Sequence, residues 1–199
     1  MNSRQPGVRQ RVVEAAAAML AQHGLNAASI REMTKRADAP FGSTYHHFPG
    51  GKQQVVVEAV NMAGARVSAA LEGHLQSGSV AGLSSFMADW RATLLRSNFR
   101  IGCPVMAAAV EEPLDDIASG ALDAAAQVFK TWETLLATSL LAHGCDRSRA
   151  AQLATLVIAS VEGAIVLCRA QRSIEPFDLV CAQLIQIVDA PCGVRRSAP

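Results

Sequence analysis

The sequence predicts an all-α protein with two parts. Half of its 199 residues are hydrophobic but only 5% are aromatic. Apolar residues recur at three- and four-residue intervals over long segments, whereas the strict alternation of a half-buried strand is scarce. A chain of this length can bury a sizeable core. We expect an N-terminal three-helix head over residues 1–52 and a C-terminal helical body over residues 53–199.

Charge is distributed unevenly between these two parts, although the net charge is only +1. Residues 1–52 carry seven Lys or Arg and three Asp or Glu, and the remainder of the chain is net negative. A basic end is typical of a surface that faces nucleic acid, and an ordinary solvated helix face is the alternative. Arg4, Arg9 and Arg11 are accordingly either phosphate contacts or solvated cations.

Capping residues and glycines define the helix boundaries. Gly24 follows an amphipathic segment, where a left-handed backbone favours glycine. Ser29 and Glu32 have the spacing of a capping box, in which each side chain accepts a backbone N–H of the other residue. Pro40 disfavours helix in the residue before it and suits the first turn of a new helix. The expected helices span about 8–23, 29–37, 40–47, 52–73, 83–98, 105–112, 114–143, 146–171 and 176–188, with a loop over 74–82.

The helix expected over residues 40–47 is the most informative element. It carries hydroxyl, phenol and imidazole side chains, which suit a reading surface better than a core. Helix-turn-helix proteins lay such a second helix in the DNA major groove and brace it with the first. The side chains concerned are those of Ser43, Thr44, Tyr45, His46 and His47.

This segment resembles the TetR family of transcriptional regulators. The resemblance rests on Ser29-Ile30-Arg31-Glu32-Met33, on Gly42-Ser43-Thr44-Tyr45-His46-His47-Phe48 and on Lys52. It covers roughly residues 8–60. The corner Phe48-Pro49-Gly50-Gly51-Lys52 and the later Gly102-Cys103-Pro104-Val105 resemble the subgroup that regulates drug efflux and flavonoid response. The chain departs from the family at Pro40-Phe41, where many members carry Ser-Lys.

The resemblance implies a homodimeric regulator, most often a repressor, that binds a palindromic operator in double-stranded DNA. It implies base contacts by Arg31 and Ser43 and phosphate contacts by Tyr45, His46 and Lys52. Gly42 would permit close approach of the backbone, and His47 would contact backbone or brace Phe48. Ser29 and Thr44 complete the expected DNA-binding set.

The resemblance also implies that the body binds a small apolar effector and forms the dimer through its last two helices. Each candidate pocket residue, taken alone, is more typical of an ordinary core position than of a ligand contact. The expected ligand-binding residues are Phe86, Trp90, Cys103, Met106, Phe129, Trp132 and Glu162. Glu162 interrupts an apolar helix, so it either pairs with an arginine or lines the pocket.

Two alternatives remain open at this point. Cys103 precedes Pro104, and a thiol at the start of a helix can have a lowered pKa, which would suit a thiol-based redox switch. A helical ligand-binding dimer without DNA function is the second alternative. The acidic residues around Pro113, among them Glu111 and Glu112, are interpreted as a solvated loop between helices.

The sequence contains no enzyme, metal or cofactor motif that rises above chance. His46 and His47 are adjacent and therefore point in different directions on a helix, and no phosphate-binding glycine loop or nucleophile elbow is present. The five cysteines show no CxxC spacing. The apolar runs 134–145 and 150–161 are shorter than the roughly 20 residues of a membrane span. We expect a cytoplasmic protein with reduced thiols, no cofactor and no membrane contact.

Overall fold

The computed structural model describes residues 7–111 and 119–190, and these form nine α-helices. The all-α prediction is confirmed. The helices are α1 (Val8–His23), α2 (Ile30–Arg36), α3 (Phe41–His47), α4 (Gly51–Leu75), α5 (Ser79–Arg96), α6 (Pro104–Val110), α7 (Ser119–Ala142), α8 (Arg147–Gln171) and α9 (Glu175–Asp189). The expected start of the seventh helix near Leu114 lies outside the described residues.

The chain packs as two compact units. The first comprises the residues up to 65 together with 103–128, and the second comprises 66–102 together with the residues from 129 onward. Helices α4 and α7 therefore contribute residues to both units. These two units are defined by packing. The expected division between residues 52 and 53 separates two functional domains, and it stays a prediction.

The first unit has its core between α1, α2, α3 and the start of α4. Leu20, Met33 and Phe48 are almost completely buried, as expected, and Ile30 is half-buried. Helix α6 packs on α1 and contributes the buried side chain of Val105. The sequence did not predict that α6 would join the head, because a contact across some 90 residues leaves no local signal.

The second unit has its core between α5, α8 and α9, which pack on one another. Helix α5 begins at Ser79, four residues before its expected start, so the predicted loop over 74–82 is much shorter. Gly82 is buried inside the helix, and a Cβ there would lie 2.6 Å from His74 O and 2.7 Å from Leu75 Cα. This glycine allows two backbones to approach closely, although its sequence context is typical of a loop.

Helix α8 is longer and more apolar than the sequence runs suggested. Its 25 residues reach a mean hydropathy of 1.9 over an 18-residue window, which is sufficient by length and composition to cross a membrane. However, 44% of that window is buried within the protein, and α8 packs on α9 and α5. It is the core helix of the second unit.

The expectation of five reduced thiols is wrong at one position. Cys145 is disulfide-bonded. Cys103, Cys168 and Cys181 are not in a disulfide.

Candidate nucleic-acid interface

Hydrogen bonds from α1 fix the turn between α2 and α3. The Ser29 hydroxyl accepts from the Glu32 N–H at 3.2 Å and caps α2, as predicted. At the other end of α2, the Arg11 guanidinium donates to Ala37 O at 3.0 Å and to Asp38 O at 3.2 Å. Asp38 itself has a positive φ of 47°. Arg11 is therefore a brace for the turn, and the prediction that it is either solvated or a phosphate contact is corrected.

The Glu32 side chain differs from the predicted capping box. Its carboxylate lies 3.7 Å from Arg36 Nε, on the next turn of the same helix. Arg36 also donates to Gln22 Oε1 at 3.3 Å. The three cations of α2, Arg31, Lys35 and Arg36, are all exposed, and Arg31 was predicted to contact bases.

Helix α3 presents one exposed face and buries the other. Thr44 is completely buried, and its hydroxyl donates to Pro40 O at 3.2 Å. This burial corrects the expectation of direct DNA contact by Thr44, which instead holds the start of the helix in place.

The exposed face of α3 contains most of the remaining predicted contacts. Phe41 and Tyr45 are 48% and 51% exposed, and their rings meet edge to face at a centroid distance of 5.7 Å. Gly42 is exposed, and a Cβ there would meet no atom within 4 Å. His46 and His47 are also exposed. Ser43 lies on α3, but its side chain is not among those that the structure describes.

A chain of side-chain contacts fixes the corner between α3 and α4. Gln54 Oε1 accepts from the Gly50 N–H at 3.0 Å, and Gln54 Nε2 donates to Glu58 Oε1 at 3.1 Å. Arg9 pairs with the same Glu58 oxygen at 2.6 Å and lies over the ring of buried Phe48 at 5.4 Å from its centroid. Arg9 is thus a structural residue in this state.

Lys52 lies in the first turn of α4, directly after this corner. It is half-buried. Lys52 therefore lies in the same unit as α3, as its predicted role in phosphate contact requires.

Glu111, at the end of α6, holds the turn between α1 and α2. Its two carboxylate oxygens accept from the N–H groups of Leu25 and Asn26, each at 2.9 Å. Gly24 has φ +85°, and a Cβ on it would collide with Glu111 Oε1. The interpretation of Glu111 as part of a solvated acidic loop is wrong. No local pattern could have revealed this contact between residues more than 80 positions apart.

The predicted ligand-binding residues divide between the two units. Phe86, Trp132 and Glu162 are buried and Trp90 and Phe129 are half-buried, all in the second unit. Phe129 and Trp132 meet edge to face with centroids 5.4 Å apart, and Trp132 Nε1 donates to Ser68 Oγ at 3.1 Å.

Cys103 and Met106 belong to the first unit. Cys103 precedes α6 and is 4% exposed, so its thiol is shielded from oxidants in solution. This burial disfavours the redox alternative.

The second unit contains cavities between its helices. One of about 420 Å³ lies between the α4–α5 turn and the ends of α7 and α9, and its polar groups include Ser79, His143 and Asp189. Another, of about 270 Å³, lies between α7 and α8. None of the seven predicted ligand-binding residues lines either cavity.

A helix that braces the turn, a second helix with an exposed polar and aromatic face, and exposed basic side chains nearby define the class of protein. The first unit has the architecture of a helix-turn-helix DNA-binding head, in which α2 supports α3. Within the described residues, no group of three or more His, Cys, Asp or Glu is placed to hold a metal ion.

Comparison with known proteins gives the family. Residues 12–59 match the model described as bacterial regulatory proteins, tetR family, and residues 79–183 match the LmrA/YxaF-like transcriptional regulator C-terminal domain. The chain belongs to the TetR family of transcriptional regulators. The predicted family and the prediction that the chain is not an enzyme are thereby confirmed.

Relatives agree with this assignment, and a solved structure shares the fold. The HTH-type transcriptional regulator Rv0196 of Mycobacterium tuberculosis is 38% identical over 89% of this chain and 92% of its own. LmrA of Bacillus subtilis is 27% identical over 84% of this chain and 89% of its own. The crystal structure of a TetR regulatory protein from Rhodobacter sphaeroides has the same fold, with a TM-score of 0.79 and 22% identity over 90% of this chain and 98% of that one.

Proposed function

We propose that the protein is a ligand-responsive repressor that binds a palindromic operator through α3 and leaves it when a small apolar effector binds the body. The observation that carries this proposal is the exposed face of α3 in a basic head. Arg11 and the Gly50–Gln54–Glu58 chain hold the two ends of that helix by hydrogen bonds. A reading helix held in this way loses little conformational entropy on binding.

The proposed contact residues divide by chemistry into two groups. Arg31 is suited to bidentate contact with guanine, and Ser43 is suited to hydrogen bonds with base edges. Tyr45, His46 and Lys52 are suited to phosphate contacts, which position the head without specifying sequence. Exposed Gly42 leaves room for the DNA backbone, and Ser29 and Thr44 act by holding α2 and α3.

We also propose that the head and the body have different functions. Residues 1–52 form the DNA-binding domain, and residues 53–199 form the effector-binding and dimerisation domain. The two family matches, over 12–59 and 79–183, support this division.

The proposed homodimer uses α8 and α9. Apolar side chains on these helices are exposed in the protomer, and the largest exposed fractions are 62% for Leu179 and 50% for Val166. A second copy placed on a two-fold axis would cover them as a four-helix bundle. Two heads then read two half-sites separated by about one turn of DNA or a multiple of it.

The proposed effector binds among the aromatic side chains of the second unit, which do not line the cavities of about 420 and 270 Å³. Phe86, Trp90, Phe129 and Trp132 supply apolar surface, and buried Glu162 supplies a polar group. Such a mixture is typical of small-molecule sites. The effector can lower operator affinity only through its different affinities for the two states of the protein. We place the protein in the cytoplasm, where the operator is.

The test is DNA binding by the purified protein to the promoter region beside its own gene, across a salt series. We expect specific binding with a steep salt dependence. Lys52→Ala should weaken binding and lower the magnitude of the salt slope by about 1, because one phosphate contact is lost. Lys130→Ala is the matched control, since Lys130 is an exposed lysine on α7 in the second unit. Identical salt slopes for all three proteins would contradict the proposed role of Lys52.

A further inference from the structure

Two large apolar side chains stand exposed on the reading helix. Among the described residues 7–65, Phe41 and Tyr45 are the large hydrophobic side chains with high exposure, at 48% and 51%. Other large apolar groups of this region are less exposed, and Leu20, Met33 and Phe48 are buried. An aromatic pair kept in water on a surface otherwise rich in cations requires an explanation, because exposure of this apolar area is unfavourable.

The pair has a defined geometry. The two rings lie 5.7 Å apart between centroids at an interplanar angle of 89°, one turn apart on α3. Edge-to-face packing of this kind restricts both rings. The Phe41 side chain is thus held against Tyr45 and directed away from the core.

Chemistry limits what Phe41 can contact on DNA. Its side chain has no hydrogen-bond donor or acceptor, so it cannot pair with a phosphate or with the polar edge of a base. The one apolar group on base edges in the major groove is the C5-methyl group of thymine. Arg31 and Lys35 on the neighbouring helix α2 are exposed cations, so an anionic duplex is the partner that complements the surrounding charge.

We propose that Phe41, held by Tyr45, is a specificity-determining residue that packs on a thymine methyl group in each operator half-site. This inference rests on the proposed function, because it requires α3 to lie in the major groove. It adds a sequence requirement: each half-site contains a thymine whose methyl group is buried under the Phe41 ring.

The experiment uses the intact protein and the operator obtained by selection from random duplexes. Each thymine of the half-site is replaced in turn by deoxyuridine, which removes only the methyl group and leaves every hydrogen-bonding atom. We expect one symmetric position at which this replacement weakens binding by about fourfold per half-site, or about 15-fold for both, the effect of burying one methyl group.

Variants assign the effect to Phe41. In Phe41→Ala the thymine and deoxyuridine operators should bind equally at that position, with both affinities lowered. Lys52→Ala is the matched control: it should weaken both operators and keep the ratio between them. Far-UV circular dichroism confirms that each variant retains its helices, which is expected for Phe41 because its side chain is half exposed.

The outcomes separate the inference from the proposed function. Specific operator binding with no thymine position sensitive to methyl removal overturns the inference and leaves the proposed function standing. A sensitive position that persists in Phe41→Ala also overturns it, because another residue then reads the methyl group. Absence of any specific binding by the unmodified protein contradicts the proposed function itself.

Discussion

Removal of the Glu111 carboxylate tests how α6 supports the head. The carboxylate accepts the N–H groups of Leu25 and Asn26 at 2.9 Å each. The Leu25 bond is part-buried, so in Glu111→Ala its N–H loses its partner, whereas the exposed Asn26 N–H gains water. One charge-assisted hydrogen bond of this kind contributes about 1.5–3 kcal/mol. The expected loss in the free energy of unfolding is therefore about 1.5–3 kcal/mol.

The assay is urea denaturation at neutral pH, followed by helical circular dichroism. The same loss corresponds to a fall in melting temperature of about 3–12 °C for a chain of this size. Glu111→Gln retains one acceptor oxygen and should lose about half as much. Asp123→Ala removes an exposed carboxylate on α7 and serves as the control, with an expected change below about 0.5 kcal/mol. A Glu111→Ala variant as stable as Asp123→Ala would refute the claim that this contact stabilises the head.

Three further predictions concern the second unit. In a urea titration, Gly82→Ala should destabilise the protein by about 1–3 kcal/mol, because the new methyl group would lie 2.6 Å from His74 O. Gly73→Ala is the control and should not destabilise the protein, because a Cβ at Gly73 would meet no atom within 4 Å. Burial raises the pKa of Cys181 to about 12, so mass spectrometry after iodoacetamide treatment at pH 8 should show this thiol largely unmodified; rapid alkylation of the folded protein would contradict this. Leu179→Glu should convert the proposed dimer to a folded monomer in sedimentation experiments, and an unchanged dimer would place the interface elsewhere.

Local signals in the sequence were sufficient to predict most of the helices and their boundaries. Ser29 was predicted to cap α2, and its hydroxyl accepts the Glu32 N–H. The helix expected over residues 146–171 is α8, and the Asp146 carboxylate caps it by accepting the Arg149 N–H at 3.0 Å. These boundaries were predictable because the cap and the helix start lie within three residues of each other.

The misread features depend on partners that are distant in the chain. Gly82 was assigned to a loop because its need for close backbone approach arises from tertiary packing. Arg9 was considered a phosphate contact or a solvated cation, yet it pairs with Glu58, 49 residues away. Exposure also separates the site residues: Thr44 and Tyr45 are adjacent in sequence, but one is completely buried and the other is half exposed. Pattern alone could not make that distinction in a helix of seven residues.

Selection of binding sites from a pool of random DNA duplexes tests the central claim most directly. The account predicts enrichment of an inverted repeat whose half-sites are spaced by about one turn of DNA or a multiple of it, because two copies of α3 would read it about a two-fold axis. Enrichment should disappear in Lys52→Ala at a salt concentration where the unmodified protein still selects its site. A pool that remains random after repeated selection at low salt, with protein free of bound small molecules, would contradict the account.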